Sequence, residues 1–273
     1  MVRGNADLPV IRACIFDLDG LLINSEDMVT KAVNQVLKQY GRPPLDAPIR
    51  AKLMGVPDST SSCEFHNWAK VPISREQFTL ELKNRMREKF QNCIPLPGAE
   101  RLLSNLSRVC NAFGDKIQLA LASSTKSQSL ELKISRPETK QLLNHFQRDR
   151  CILGDDPRVR QGKPAPDIYS VALQTLQSEI NATPILPHEC LVFEDSLAGF
   201  RAGFRAGMRV IWVPHPDLAT EYQVSREGAL TGGMGIISVG DDTGVREFDE
   251  DWVEKISSLA EFNYEKYGLH IQF

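Results

Sequence analysis

The chain has 273 residues, 42% hydrophobic and 25% charged, which is enough apolar material for a sizeable core in one large domain or two smaller ones. Its 32 Lys and Arg against 35 Asp and Glu leave a net charge of −3, so nothing electrostatic favours nucleic acid or an anionic membrane as the main partner. The six cysteines form no CxxC pair and no zinc-like Cys/His spacing, "MVRGNADLPV" has no apolar leader, and no apolar run could span a bilayer, so the expectation is a reduced, cytoplasmic setting.

The first predicted strand, 12–16, ends in Asp17, Leu18, Asp19 and Gly20. Alternate residues of an extended strand share a face, so Asp17 and Asp19 would point together. Two such charges about 4 Å apart repel by roughly 4 kcal/mol at an effective dielectric near 20, so a cation or a shared proton is expected between them. Asp-Gly is also a common turn dipeptide, and taken alone the stretch fits a plain strand end equally well.

Over 25–94 the strand signals vanish. "SEDMVTKAVNQVLKQYG" offers Ser25 as a cap, acids in the first turn, and an apolar face of Met28, Val29, Ala32, Val33, Val36 and Leu37. "SREQFTLELKNRMREKF" opens with a Ser74/Gln77 capping box. This helical stretch is too long for an ordinary crossover. It is predicted to be a helical cap, 25–94, inserted into a sheet domain made of 9–24 and 95–273.

Further strands are expected at 117–122, 151–153, 190–193 and 208–213, rich in apolar residues with little alternation. Between them lie the helical patterns "AERLLSNLSRVCNAF", with Leu102, Leu103, Leu106 and Val109 on one face, and "DIYSVALQTLQSEI". "SLAGFRAGFRAGM" has small residues that would let a helix lie close to the sheet. Strand and helix in alternation predict an α/β fold with a doubly wound parallel sheet. The Gly-rich 228–244 segment reads as a surface loop.

The strand ends carry the chemistry. The second stops at Ser123 and Ser124, the third precedes a loop holding Lys163 between Gly162 and Pro164, and the fourth runs into Glu194 and Asp195. Each has a plain alternative: the serines begin a loop, the lysine is solvated, and Asp195 or Ser196 caps the next helix. All lie at the carboxyl edge of one parallel sheet, where open α/β folds place their ligands. Acids on two such strand ends, with no His or Cys, suggest a shared hard cation, Mg²⁺.

"DLDG", "ASS", "GKPAPD" and "FEDSLAG", in this order and at these intervals, resemble the four motifs of the haloacid-dehalogenase superfamily, and the helical insert is similar to its C1-type cap. The resemblance runs from about residue 11 to 213. "LKISRPE", "ILGDDPRVRQGKPAPDIY" and "CLVFED" are most similar to the pseudouridine-5′-phosphatase subgroup. The resemblance implies Asp17 as nucleophile and Asp19 as general acid, then base. It implies that Ser123 and the backbone N–H of Ser124 hold phosphate, and that Lys163 offsets charge. Mg²⁺ would be bound by Asp17, Asp195 and the backbone carbonyl of Asp19, with Glu194 in support. Gly20 follows Asp19 where close backbone approach or an unusual φ is expected, and it is expected at the substrate site.

"RAKLMGVP" resembles the cap's specificity loop, with Gly55 as its turn and Lys52 as a substrate contact; Arg50 is expected on a solvated helix face. The implied activity is Mg²⁺-dependent hydrolysis of a small phosphomonoester by a monomer, since a capped site suits neither polymers nor proteins. Two alternatives stand beside it: β-phosphoglucomutase-like phosphotransfer, and a catalytically silent binding protein on the same fold. Val29 occupies the place of the mutases' cap histidine, which speaks against the first.

Overall fold

The computed structural model describes residues 9–53, 60, 62–177, 183–219 and 252–271. The Gly-rich 228–244 segment therefore lies outside the described residues. A six-stranded sheet has the order β4-β3-β1-β5-β6-β7, from β1 (Ala13–Phe16), β3 (Gln118–Ala122), β4 (Cys151–Ile152), β5 (Cys190–Glu194), β6 (Arg209–Trp212) and β7 (Val253–Lys255). All its pairings are parallel. The doubly wound α/β expectation holds. The chain leaves β1 towards β3 and β4 on one side, then returns to β5, β6 and β7 on the other. Its topological switch point is the crevice at the carboxyl end of β1, where ligands of such sheets bind.

The strands lack alternation because both faces are buried. Cys14, Phe16, Leu121, Phe193 and Ile211 enter one apolar cluster. Their neighbours Ala13, Ile15, Ala122, Val192 and Val210 enter another on the opposite face. Phe16 lies beside Phe193 in the β1/β5 register, and their rings stack with centroids 4.5 Å apart. Helices α5 (Ala99–Leu106) and α7 (Pro137–Leu143) contribute to the first cluster; α8 (Asp167–Gln177) and α9 (Leu197–Arg205) contribute to the second. The small residues of α9 serve as expected: a Cβ on Gly203 would stand 3.0 Å from Val192 Cγ1.

The insert comprises α1 (Ser25–Gln39), α2 (Ala47–Leu53), α3 (Cys63–Ala69) and α4 (Arg75–Phe90). Its packing rests on a separate cluster that includes Val33, Val36, Leu37, Phe65, Phe78 and Leu82. Two local expectations need correction. Ser25 is the first residue of α1 and not its cap; the cap is Asn24, whose side chain accepts a hydrogen bond from the Ile94 N–H. That contact ties the start of the insert to its end. Ser74 does cap α4, accepting from the Gln77 N–H, but the Gln77 amide donates to Glu81 and does not complete a box.

Two other differences arise from long-range pairing. The helix expected to run past Val109 stops at Leu106, because Val109 and Cys110 form β2, antiparallel to β8 (His270–Ile271). The edge strand β7 falls in a stretch with no predicted strand. Among the described residues, no helix is long and apolar enough to cross a membrane. Helix α6 (Ser127–Lys133) follows β3 and flanks the crevice.

The Phe16/Phe193 stack sits directly beneath the sheet's carboxyl edge. Phe16→Ala should therefore lower unfolding free energy by about 3–5 kcal/mol, as expected for an aromatic removed from a closed core, measured by urea denaturation.

Candidate active site

Strand β1 ends at Phe16, so Asp17 and Asp19 stand in the loop that follows it and not on one strand face as the pleat argument supposed. They diverge to different partners, although both line the same cavity. Asp17 is buried, and its Oδ1 accepts from Lys163 Nζ at 2.5 Å. Lys163, only 7% exposed, also donates to Glu194 Oε1 at 2.6 Å and to the Ala122 carbonyl at 3.0 Å. The three bonds use all the donors of one ammonium.

Glu194 ends β5 with no exposure at all. The Tyr169 hydroxyl donates to its Oε1 at 2.7 Å, and the Ser196 N–H and hydroxyl reach Oε2 at 3.1 and 3.2 Å. Both carboxylate oxygens are thus engaged by protein donors. Asp195 next to it lines the cavity, while its backbone carbonyl accepts from Trp212 Nε1. Ligand oxygens of Asp17, Glu194 and Asp195 lie within 4.8 Å of one another. An all-carboxylate cluster of this kind has the chemistry to hold a hard divalent cation.

Two glycines make the cluster sterically possible. Gly20 has φ +79°, and a Cβ there would run into the Asp195 carboxylate; on Gly199 it would run into that of Glu194. The expectation of a special backbone at Gly20 holds, and its cause is the approach of Asp195.

Asp19 meets a second set of groups. Its Oδ1 accepts from Lys133 Nζ at 2.5 Å, and its Oδ2 from Thr125 Oγ1 at 2.5 Å. Ser123 is fully buried, its Oγ 3.4 Å from Asp19 Oδ2 and accepting from the Thr125 N–H. It is Ser124 and Thr125, not Ser123, that line the cavity. Lys133, Thr125 and Tyr169 were absent from the expected site. Thr125 directly follows Ser124 at the same strand end and was passed over, whereas Lys133 and Tyr169 lie on helices and only folding brings them in.

Burial drives the charge states. It pushes the Asp17 carboxyl up to about 7; the Lys163 charge opposes this, and the Glu194 and Asp19 charges add to the rise. Burial and the Glu194 and Asp17 charges push Asp195 well up too. Glu26, in the first turn of α1 and facing the cavity, rises to about 7 through burial and the nearby Asp19 charge. Burial would also raise Asp19, but the charge and hydrogen bond of Lys133 outweigh it and hold Asp19 below the usual range. Burial disfavours the Lys163 ammonium, yet Asp17 and Glu194 more than compensate. Acids pushed up by one another's charge are the expected signature of a cluster suited to a cation.

The cavity, of about 510 Å³, opens between this edge and the insert, which contributes Val29, Val33, Leu82, Met86 and Phe90. Arg50 lines it as well and is not on a solvated face: it pairs with Asp27 at 2.9 Å and with Asp217 at 2.7 Å. Gly55 lies outside the described residues, as does the side chain of Lys52, whose backbone belongs to α2.

Residues 14–213 match the family model described as haloacid dehalogenase-like hydrolase. A protein of Saccharomyces cerevisiae described as a probable pseudouridine-5′-phosphatase is 33% identical over 95% of this chain and 98% of its own length. The (DL)-glycerol-3-phosphatase 2 of Arabidopsis thaliana is 32% identical over 80% of this chain and 85% of its own. Among solved structures, a HAD family hydrolase of Deinococcus radiodurans with bound phosphate and sodium aligns with a TM-score of 0.58 at 28% identity, covering 82% of this chain and 90% of that one.

The raised carboxyls should make stability fall as pH rises in metal-free protein. The folded state keeps protons on Asp17 and Glu26 up to about 7, whereas their ordinary values are 3.8 and 4.5. Folding therefore binds protons in that window, and each group's penalty grows from about pH 4 and is complete above about pH 7. Urea unfolding at pH 5.5 and pH 8 should show the loss, and Asp17→Asn should shrink it.

Proposed function

The chain belongs to the haloacid dehalogenase-like hydrolase family, and we propose that it is a Mg²⁺-dependent phosphatase of small phosphomonoesters that works through an aspartyl-phosphate on Asp17. The observation that carries this reading is the buried contact of Lys163 with both Asp17 and Glu194, beside Asp195 and at the floor of a capped cavity. A carboxylate attacking an anionic phosphate is repelled by it, so a resident cation on either side of the nucleophile is what the reaction needs.

In this mechanism Asp17 attacks phosphorus and the ester oxygen leaves, taking a proton from Asp19. Asp19 then takes a proton from a water that attacks the aspartyl-phosphate, which frees phosphate and restores the Asp17 carboxylate. Lys163 fixes Asp17 and offsets the charge of the transferred group. The Ser124 N–H holds a phosphate oxygen, and the Ser123 hydroxyl, buried behind the cavity wall, reaches another only by turning from its 3.4 Å contact with Asp19. Mg²⁺ would be held by Asp17 and Asp195 with the Asp19 carbonyl, and Glu194 behind them, and would supply further charge neutralisation. The sheet domain, 9–24 and 95–273, performs the phosphate chemistry. The helical cap, 25–94, excludes water and selects the alcohol.

For substrate, we propose pseudouridine 5′-phosphate ahead of glycerol phosphate and sugar phosphates, a reading supported by similarity over nearly the whole length to the yeast protein. Phosphotransfer of the mutase kind is not favoured, because Val29 offers the cavity an alkyl group where proton transfer would be required.

Purified protein should release phosphate from p-nitrophenyl phosphate, and EDTA should abolish the release until Mg²⁺ is restored. Asp17→Asn should lower turnover by about a thousandfold or more; substantial surviving activity would exclude the covalent route. Comparing kcat/KM for pseudouridine 5′-phosphate, glycerol 3-phosphate and deoxyglucose 6-phosphate tests the substrate order.

A further inference from the structure

The mechanism leaves one buried cation at the site without a part. Lys133 is the last residue of α6, is only 6% exposed, and lies outside the four motif strings. A lysine is rarely buried unless something specific holds its head group. Here Nζ lies 2.5 Å from Asp19 Oδ1, 2.6 Å from Thr125 Oγ1 and 4.6 Å from the centre of the Phe90 ring. Phe90 ends α4, where the insert returns to the sheet domain, so the ring covers a face of the ammonium that water would otherwise reach.

The direction of each hydrogen bond follows from the groups themselves. An ammonium only donates, so Thr125 Oγ1 is the acceptor from Lys133. The single hydroxyl proton of Thr125 is then left for Asp19 Oδ2, at 2.5 Å. Lys133 thus holds one oxygen of Asp19 directly and sets the donor that holds the other. The three side chains close a triangle, and the carboxylate plane is fixed through both of its oxygens. The lone pairs still available on Asp19 are those turned from the triangle, and Asp19 lines the cavity.

We propose that Lys133 is the positioning residue for Asp19, using Thr125 as its second arm to aim the carboxyl group at the oxygen of the departing alcohol. The proposal rests on the role of Asp19 as proton carrier. Lys133 itself need not touch the substrate. Besides the charge that holds Asp19 below the usual range, its contribution is geometric: a proton donor must lie within hydrogen-bond reach of the leaving oxygen, and an unheld carboxyl would sample other rotamers.

A positioning role has a signature that a general loss of stability lacks. Proton delivery matters for a basic leaving group and hardly at all for a weakly basic one. p-Nitrophenyl phosphate and phenyl phosphate differ little in shape, but the phenolate released from the second is far more basic. The ratio of kcat/KM for the two esters, taken on one preparation, is independent of how much of the protein is folded. The ratio should be measured for the wild type, K133M and D19N with Mg²⁺ present.

K133M should lose at least about tenfold more on phenyl phosphate than on p-nitrophenyl phosphate, with D19N biased the same way. Equal losses on the two esters, or a loss confined to KM, would overturn the proposal by showing a structural or a substrate-binding role. A bias in D19N without one in K133M overturns this proposal alone. No bias in D19N removes the acid role of Asp19, and the proposal falls with it.

Discussion

Lys163 is the constraint around which the site is organised. Three N–H donors of a single ammonium must be satisfied in a place water barely reaches, and their acceptors come from the loop after β1, from β3 and from β5. Breaking such a buried arrangement from one side leaves uncompensated charge, which costs about 3–5 kcal/mol in comparable cases. The arrangement is complete only because Glu194 is itself held on its far side by Tyr169 from α8 and by Ser196 at the start of α9. Three adjacent strands and two crossover helices are therefore registered against one nitrogen atom. The same atom lies against the carboxylate that phosphoryl transfer would use.

That crowding explains where side chains are missing. Gly20 and Gly199 lie where any Cβ would displace the acids opposite them. Ser196 caps α9 by accepting from the Gly199 N–H while also donating to Glu194. The plain interpretation of that sequence stretch, a capped helix after a strand, and the functional one are both true of the same residues. Helix capping fixes the Ser196 hydroxyl, and the fixed hydroxyl orients Glu194.

The parts legible in the sequence are those determined by local pattern. Apolar runs ending in acids located β1 and β5, and the loop with Lys163 was placed correctly because it follows a strand of the same sheet. The short strands β2 and β8 were not legible, since two residues show no period and gain their identity from a partner about 160 positions away. Strand register misjudged Asp17 and Asp19 in an instructive way. They do serve one cavity, but the chain leaves the strand before Asp17, and each acid then answers to a different lysine. Lys133 and Arg50 carried no signal: a lysine ending a helix and an arginine within one are ordinarily solvated, and only the docking of the insert against the sheet encloses them.

Docking of the insert also gives the two halves of the cavity different chemical characters. The sheet edge presents charge and hydroxyls, held by the hydrogen bonds of Lys163, Lys133 and Thr125. The insert presents a mixed lining, with alkyl groups and the Phe90 ring beside Glu26, Arg50, Thr79 and Lys83, which suits a polar organic group of some bulk more than a bare phosphate. The halves are not independent. Arg50 joins α1 to Asp217 beyond β6, and Phe90 lies against the ammonium that grips Asp19. Any shift of the insert relative to the sheet would alter the surroundings of that ammonium, whereas the Lys163 triad lies wholly within the sheet domain. The Lys163 contacts are thus insulated from movements of the insert, while the Lys133–Asp19 contact is exposed to them. On the proposed mechanism, such a division would let one phosphate chemistry serve many alcohols, because the insert could change what it recognises without disturbing Asp17.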